Sequence, residues 1–167
     1  MQWHSLHNIE EPETRCPETP AIYIITLPAR GSIPRFLQQD GDCIVTIGST
    51  KNMNQRRKQF LMGLKCLEGH SAGNLFNIIN TACELKIRAA EFRLDYREHV
   101  TKEEAFAAES ELTAEYMLRY GEAPPFNSII PNRKDAVFWK AKVETMFHSP
   151  THTASLEEWR LQTRRVA

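Results

Sequence analysis

Long apolar runs are missing from this chain. No stretch approaches the roughly 20 residues needed to span a bilayer, so no membrane partner is expected. The first residues lack the basic start and apolar stretch of a signal peptide, which makes an intracellular, cytoplasmic protein the expectation. Net charge is missing too: 21 Lys and Arg balance 21 Asp and Glu. That argues against a protein held to nucleic acid by bulk charge alone, without excluding a local patch. Close cysteine pairs are absent. Cys16, Cys43, Cys66 and Cys83 lie far apart, without the spacing of a zinc knuckle or a redox motif. They read as buried thiols that pack as small hydrophobes. There is no internal repeat and no low-complexity tract.

What is present is enough for one ordinary domain: 167 residues, 41% hydrophobic and 25% charged. The charge is segregated along the chain. Residues 51–65 carry Lys51, Arg56, Arg57, Lys58 and Lys65 with no acid, whereas residues 103–122 carry six glutamates against Arg119.

Residues 1–20, with Pro12, Pro17 and Pro20, read as an irregular arm. Residues 21–27 (AIYIITL) predict a strand with Tyr23, Ile25 and Leu27 on one face and Ile22, Ile24 and Thr26 on the other. Residues 28–42 are a connection rich in proline and glycine. Residues 43–48 (CIVTIG) predict a second strand, paired antiparallel with the first as its near neighbour. Asn52 suits a helix N-cap, with helical periodicity to about residue 67 and Gly69 as its end. A short helix is expected over 71–82 and a third, half-buried strand over 85–96, where apolar and polar residues alternate. Thr101 and Glu104 form a capping-box pattern that opens a helix to Tyr120, closed by Gly121. Amphipathic helices are expected over 133–147 and 155–165, the latter opening on a box from Ser155 to Glu158. The expected fold is α+β: a small three-stranded antiparallel sheet flanked by helices, with an arm over 1–20, a main domain over 21–130 and a helical extension over 131–167.

One residue breaks the pattern. On a wheel at 100° per residue, Ala105, Leu112, Tyr116 and Tyr120 define the apolar stripe of the 101–120 helix, and Glu109 lies at its centre. Glu104, Glu111 and Glu115 fall outside it and read as a solvated face. A carboxylate facing a core needs a cationic partner, a metal ion or a cleft beside the helix. In the preceding helix both Arg56 and Arg57 lie near the apolar stripe, and periodicity does not choose between them.

These pieces together resemble the GIY-YIG nuclease superfamily. Ala21-Ile22-Tyr23 is similar to its first signature triplet and Thr46-Ile47-Gly48 to its second, with Thr46 in place of a tyrosine. The segment STKNMNQRRKQF resembles the polar helix that carries the family's arginine, and the family spacing selects Arg56. ESELTAEYMLRYGEAPPFN resembles the glutamate helix and asparagine loop, which selects Glu109 and Asn127. The resemblance covers about residues 20–128. It implies a metal-dependent endonuclease that hydrolyses phosphodiester bonds in DNA. In that reading Glu109 holds one magnesium or manganese ion, since magnesium takes oxygen ligands and keeps most of its waters. Arg56 stabilises charge on the phosphate, and Tyr23 orients or deprotonates the attacking water. Phe60 stands where several members have a histidine. His70 either replaces it in part or is a surface histidine. Asn127 either supports the site or caps a loop. Lys51, Arg57 and Lys58 are candidates for binding nucleic acid. Because Thr46 brings no second phenol, the alternative is a catalytically impaired nucleic-acid-binding module. A third reading is a plain interaction domain in which Arg56 and Glu109 form a salt bridge with no cavity.

Overall fold

The computed structural model describes residues 2–11, 16–66, 68–148 and 155–163. The protein is α+β. Its main sheet has four antiparallel strands in the order β1 (His4–Leu6), β6 (Arg93–Glu98), β2 (Ala21–Thr26) and β5 (Ile44–Thr50). Two short strands, β3 (Ile33–Pro34) and β4 (Gln39–Asp40), form a small hairpin inside the 28–42 connection. The helices are α1 (Met53–Cys66), α2 (Ser71–Ala82), α3 (Lys102–Tyr120), α4 (Ala136–His148) and α5 (Ser155–Thr163).

The fourth strand corrects the expectation of three. It comes from the arm, and its three residues are too few to show alternation; pairing of His4 with Tyr96 and of Leu6 with Leu94 fixes it to β6. The strand expected over 85–96 starts only at Arg93. A 3₁₀ turn occupies residues 89–91, and the Asn80 amide holds the backbone N–H and C=O of Ile87 at 3.1 and 3.0 Å. Nor is β6 half-buried. Asp95, on its polar side, is fully buried and accepts hydrogen bonds from Arg93 Nε (2.9 Å) and Trp159 Nε1 (3.1 Å). α5 covers that face in place of water. The strand expected from Cys43 begins at Ile44, since Cys43 has a left-handed φ of 54°.

β2 lies between β6 and β5, and all six of its residues are buried. Tyr23, Ile25 and Leu27 join Phe60 of α1 and Phe76 of α2 in one apolar cluster. Ile22 and Ile24 join Leu112 and Tyr116 of α3 and Trp159 of α5 in the other. The two faces read from the alternation are thus the two cores, and each is roofed by helices. α3 also packs along the outer edge strand β5, which brings Glu109 to the sheet's rim.

The α3 caps match the sequence: Thr101 Oγ1 accepts from the N–H of Glu104 at 3.1 Å, and Gly121 ends the helix at a φ of 80°. Glu115 corrects the wheel. It is buried, and its two oxygens accept the N–H groups of Ser155 and Leu156, each at 2.8 Å. A carboxylate at the first turn of α5 satisfies two orphan donors and complements the helix dipole. Glu158 of the expected box instead faces Arg97 at 3.4 Å. Cys16 and Cys43 are buried as expected, but Cys83 is exposed. Residues 164 and 165 and the Cys66 side chain lie outside the described set.

Candidate active site

Tyr23 and Gly48 are direct partners in the β2–β5 ladder. The phenol lies across the glycine: a Cβ at position 48 would stand 2.5 Å from Tyr23 Cζ and closer still to its hydroxyl. Gly48 is needed for space rather than for backbone freedom. The ring reaches past β5 toward the loop between α1 and α2. There Tyr23 Oη meets His70 Nε2 at 2.8 Å. Gly69 at a φ of 86° turns the chain, and the His70 N–H binds the Gln59 carbonyl at 3.1 Å.

His70 is buried and caps α2: its Nδ1 accepts the N–H of Ala72 at 3.1 Å. This bond assigns the proton of the neutral ring to Nε2. Nε2–H then donates to Tyr23 Oη and leaves the phenol's own O–H to turn into the cavity. Burial, with a further push from Arg56, lowers the His70 pKa from 6.5 to about 4. The ring is neutral across the neutral pH range. Burial raises the Tyr23 pKa well above 10, against a smaller lowering by Arg56, so the group is a phenol and not a phenolate.

Glu109 stands opposite. Ser49 Oγ donates to its Oε2 at 2.5 Å. Burial raises its pKa, while hydrogen bonds from Ser49 and the charge of Arg56 pull the other way. Among the described residues no hydrogen bond or salt bridge joins Arg56 to Glu109. Arg56 Nε is instead buried without a hydrogen-bond partner.

A cavity of about 250 Å³ separates these groups, and Tyr23, Arg56, His70 and Glu109 all line it. Asn127 lines it as well, in a structural capacity. Its Oδ1 accepts from Ile47 N–H and Thr46 Oγ1, both at 3.0 Å, and its Nδ2 donates to the Ile47 carbonyl at 2.8 Å. One side chain thus caps the open edge of β5 at Ile47. Thr46 shares Tyr23's face of the sheet, but its hydroxyl is committed to Asn127.

Arg57 corrects the expectation of a phosphate contact. It is buried, with Nε on the Ile9 carbonyl at 2.8 Å and Nη2 on the Glu11 carbonyl, and so ties the N-terminal arm to α1. Lys51 and Lys58 are exposed and outside the cavity lining. His70 is not a surface histidine. Sequence reasoning missed Ser49, which follows Gly48 directly and had no periodic signal of its own.

The donor set suits a hard cation. The cavity presents one carboxylate and the hydroxyls of Ser49, Ser71 and Ser128, and both nitrogens of His70 are already engaged. An ion that keeps several waters, such as magnesium or manganese, fits a single carboxylate. No family model, curated protein or solved structure matches the chain.

Proposed function

We propose that the protein is a divalent-metal-dependent endonuclease that hydrolyses a phosphodiester bond of DNA, as its resemblance to GIY-YIG nucleases implies. The observation that carries this reading is the convergence of Tyr23, His70, Arg56 and Glu109 on one cavity. The fork of the Arg56 guanidinium, which lines that cavity, suits the oxygens of a phosphate. Ser71, the first residue of α2, also lines the cavity, so the positive end of that helix dipole favours an anion there.

Glu109 would hold the magnesium or manganese ion, with Ser49 fixing the carboxylate. The bound ion would supply positive charge next to the phosphate and make a nearby water more acidic. Arg56 binds the phosphate and stabilises the charge that grows on its oxygens. Tyr23 works as a neutral phenol: His70 holds its oxygen, and its O–H positions the attacking water. The water oxygen bonds to phosphorus, the P–O ester bond breaks, and the departing oxygen ends as a hydroxyl. Lys51 and Lys58 on the exposed side of α1 and its entry loop would meet the DNA backbone.

A specific observation favours a second reading, a nucleic-acid-binding module with impaired catalysis. Thr46 cannot stand in for a second tyrosine, because its hydroxyl is spent on Asn127. Incubation of the purified protein with plasmid, single-stranded and branched DNA separates the two. The nuclease nicks or cuts with magnesium or manganese and stops with chelator; the module binds and does not cut. Cutting that persists in excess chelator sinks the metal-dependent proposal.

A further inference from the structure

We infer that this site takes its nucleic acid as an unstacked strand, with one nucleobase lying against Phe106 and Ile129. The inference rests on the nuclease reading and specifies its substrate.

Two large, exposed apolar side chains line the cavity beside its polar groups. Phe106 is 46% exposed and Ile129 74% exposed, both line the cavity, and neither belongs to a core cluster. Phe106 precedes Glu109 by three residues on α3, so ring and carboxylate share a helix face with Cβ atoms about 5–6 Å apart. Ile129 follows Asn127 by two residues, and Asn127 is fixed to β5 by three hydrogen bonds. One apolar group therefore rides on the α3 wall and the other on the loop wall. Phe106 also borders a second hollow, lined with Lys102 and Glu103.

Apolar side chains offer a phosphate nothing. They offer a π-face or edge contact to the base attached beside that phosphate. In a duplex those faces are stacked on their neighbours. In a single strand, a fork or a bulge they are open. The charge distribution points the same way. The chain has no net charge, and Glu103 and Glu104 are exposed on the turn of α3 beside Phe106. A duplex backbone pressed against that turn meets two carboxylates and only one cation, Lys102. Stacking gives affinity without a surplus of cations.

The test is fluorescence anisotropy with single-stranded, duplex and forked oligonucleotides of one sequence, followed by a single strand carrying one abasic site moved along it. Single strand and fork should bind about tenfold tighter than duplex. Phe106→Ala should lower single-strand affinity about tenfold, the scale of one base–aromatic stack. An abasic site at one register should produce the same loss, and the two losses should not add. Phe106→Trp should retain affinity and Phe106→Leu should not, although both keep apolar bulk. Phe36→Ala, at an 81% exposed aromatic outside the cavity, serves as the control and should bind as wild type does. Tighter binding to duplex, or losses that add at every register, overturns the inference and leaves the nuclease reading standing. Failure to bind or cut any DNA defeats both.

Discussion

Tyr23 faces Gly48 across the β2–β5 ladder, and the phenol fills the space that any side chain at position 48 would take. Gly48→Ala must therefore displace the ring and break its 2.8 Å contact with His70. It should lose about as much cleavage as Tyr23→Phe, which removes only the hydroxyl. For a group that positions water, about 10²-fold is expected. The two differ in stability: Gly48→Ala overpacks a buried site and should cost about 1–3 kcal/mol, whereas Tyr23→Phe should melt near wild type. Single-turnover rates and urea melts decide. If Tyr23 instead titrates as the base, its removal will change the shape of the pH–rate profile and not merely its height. Thr46→Tyr should not help, because Thr46 is buried and its replacement evicts the Asn127 clamp.

Glu109→Gln should end metal-dependent cleavage without weakening the fold. Burial raises the folded pKa of Glu109, so its ionised form is penalised in the native state. That contribution favours folding below the ordinary value of 4.5 and is lost as pH rises through the raised pKa. The glutamine variant should then be at least as stable as wild type at pH 7 and lose any advantage near pH 4. A variant that melts lower at pH 7 and still cleaves would make Glu109 a structural partner.

Arg56 and Arg57 should separate cleanly. Arg56→Ala removes the proposed phosphate ligand and should lower the rate about 10²–10³-fold with little change in melting temperature. Arg57→Ala frees two carbonyls of the arm from a charged donor. It should lower stability by about 2–3 kcal/mol and leave the affinity of the folded protein for DNA unchanged. Melts and binding isotherms on both variants provide the check. The reverse pattern would show that the arginine roles are exchanged.

His70 should imprint a pH dependence on stability. Its pKa is 6.5 in the unfolded reference and about 4 in the fold. Between these values the unfolded chain binds the additional proton. The stability present above pH 6.5 is therefore lost as pH falls toward 4, by roughly 3 kcal/mol at 1.36 kcal/mol per unit. Urea titrations across that range should show the slope in wild type and a flatter one in His70→Gln. Equal slopes would mean that another group is responsible.

Much of this was legible in the chain. Alternation on β2 sorted Tyr23 and Ile25 from Ile22 and Ile24, because a central strand has two buried faces. Periodicity singled out Glu109, because a carboxylate on an apolar stripe is conspicuous. Other features depend on what packs nearby, which local pattern does not encode. Glu115 and Asp95 read as solvated because α5, far along the sequence, covers them. Arg57 was indistinguishable from Arg56 on a wheel, since the arm that claims it has no periodic signature. β1 was invisible because three residues cannot display a period.

The Asn127 clamp has a consequence for how molecules of this protein meet one another. An edge strand offers its bare N–H and C=O groups as a template on which a strand from another molecule can add. Here the edge that borders the cavity is already taken: Asn127 holds both polar groups of Ile47, and the Phe126 N–H holds the Val45 carbonyl at 2.9 Å. The loop that walls the cavity is thus also a guard against edge-to-edge aggregation, and a chain that loses Asn127 exposes a sticky seam beside that cavity.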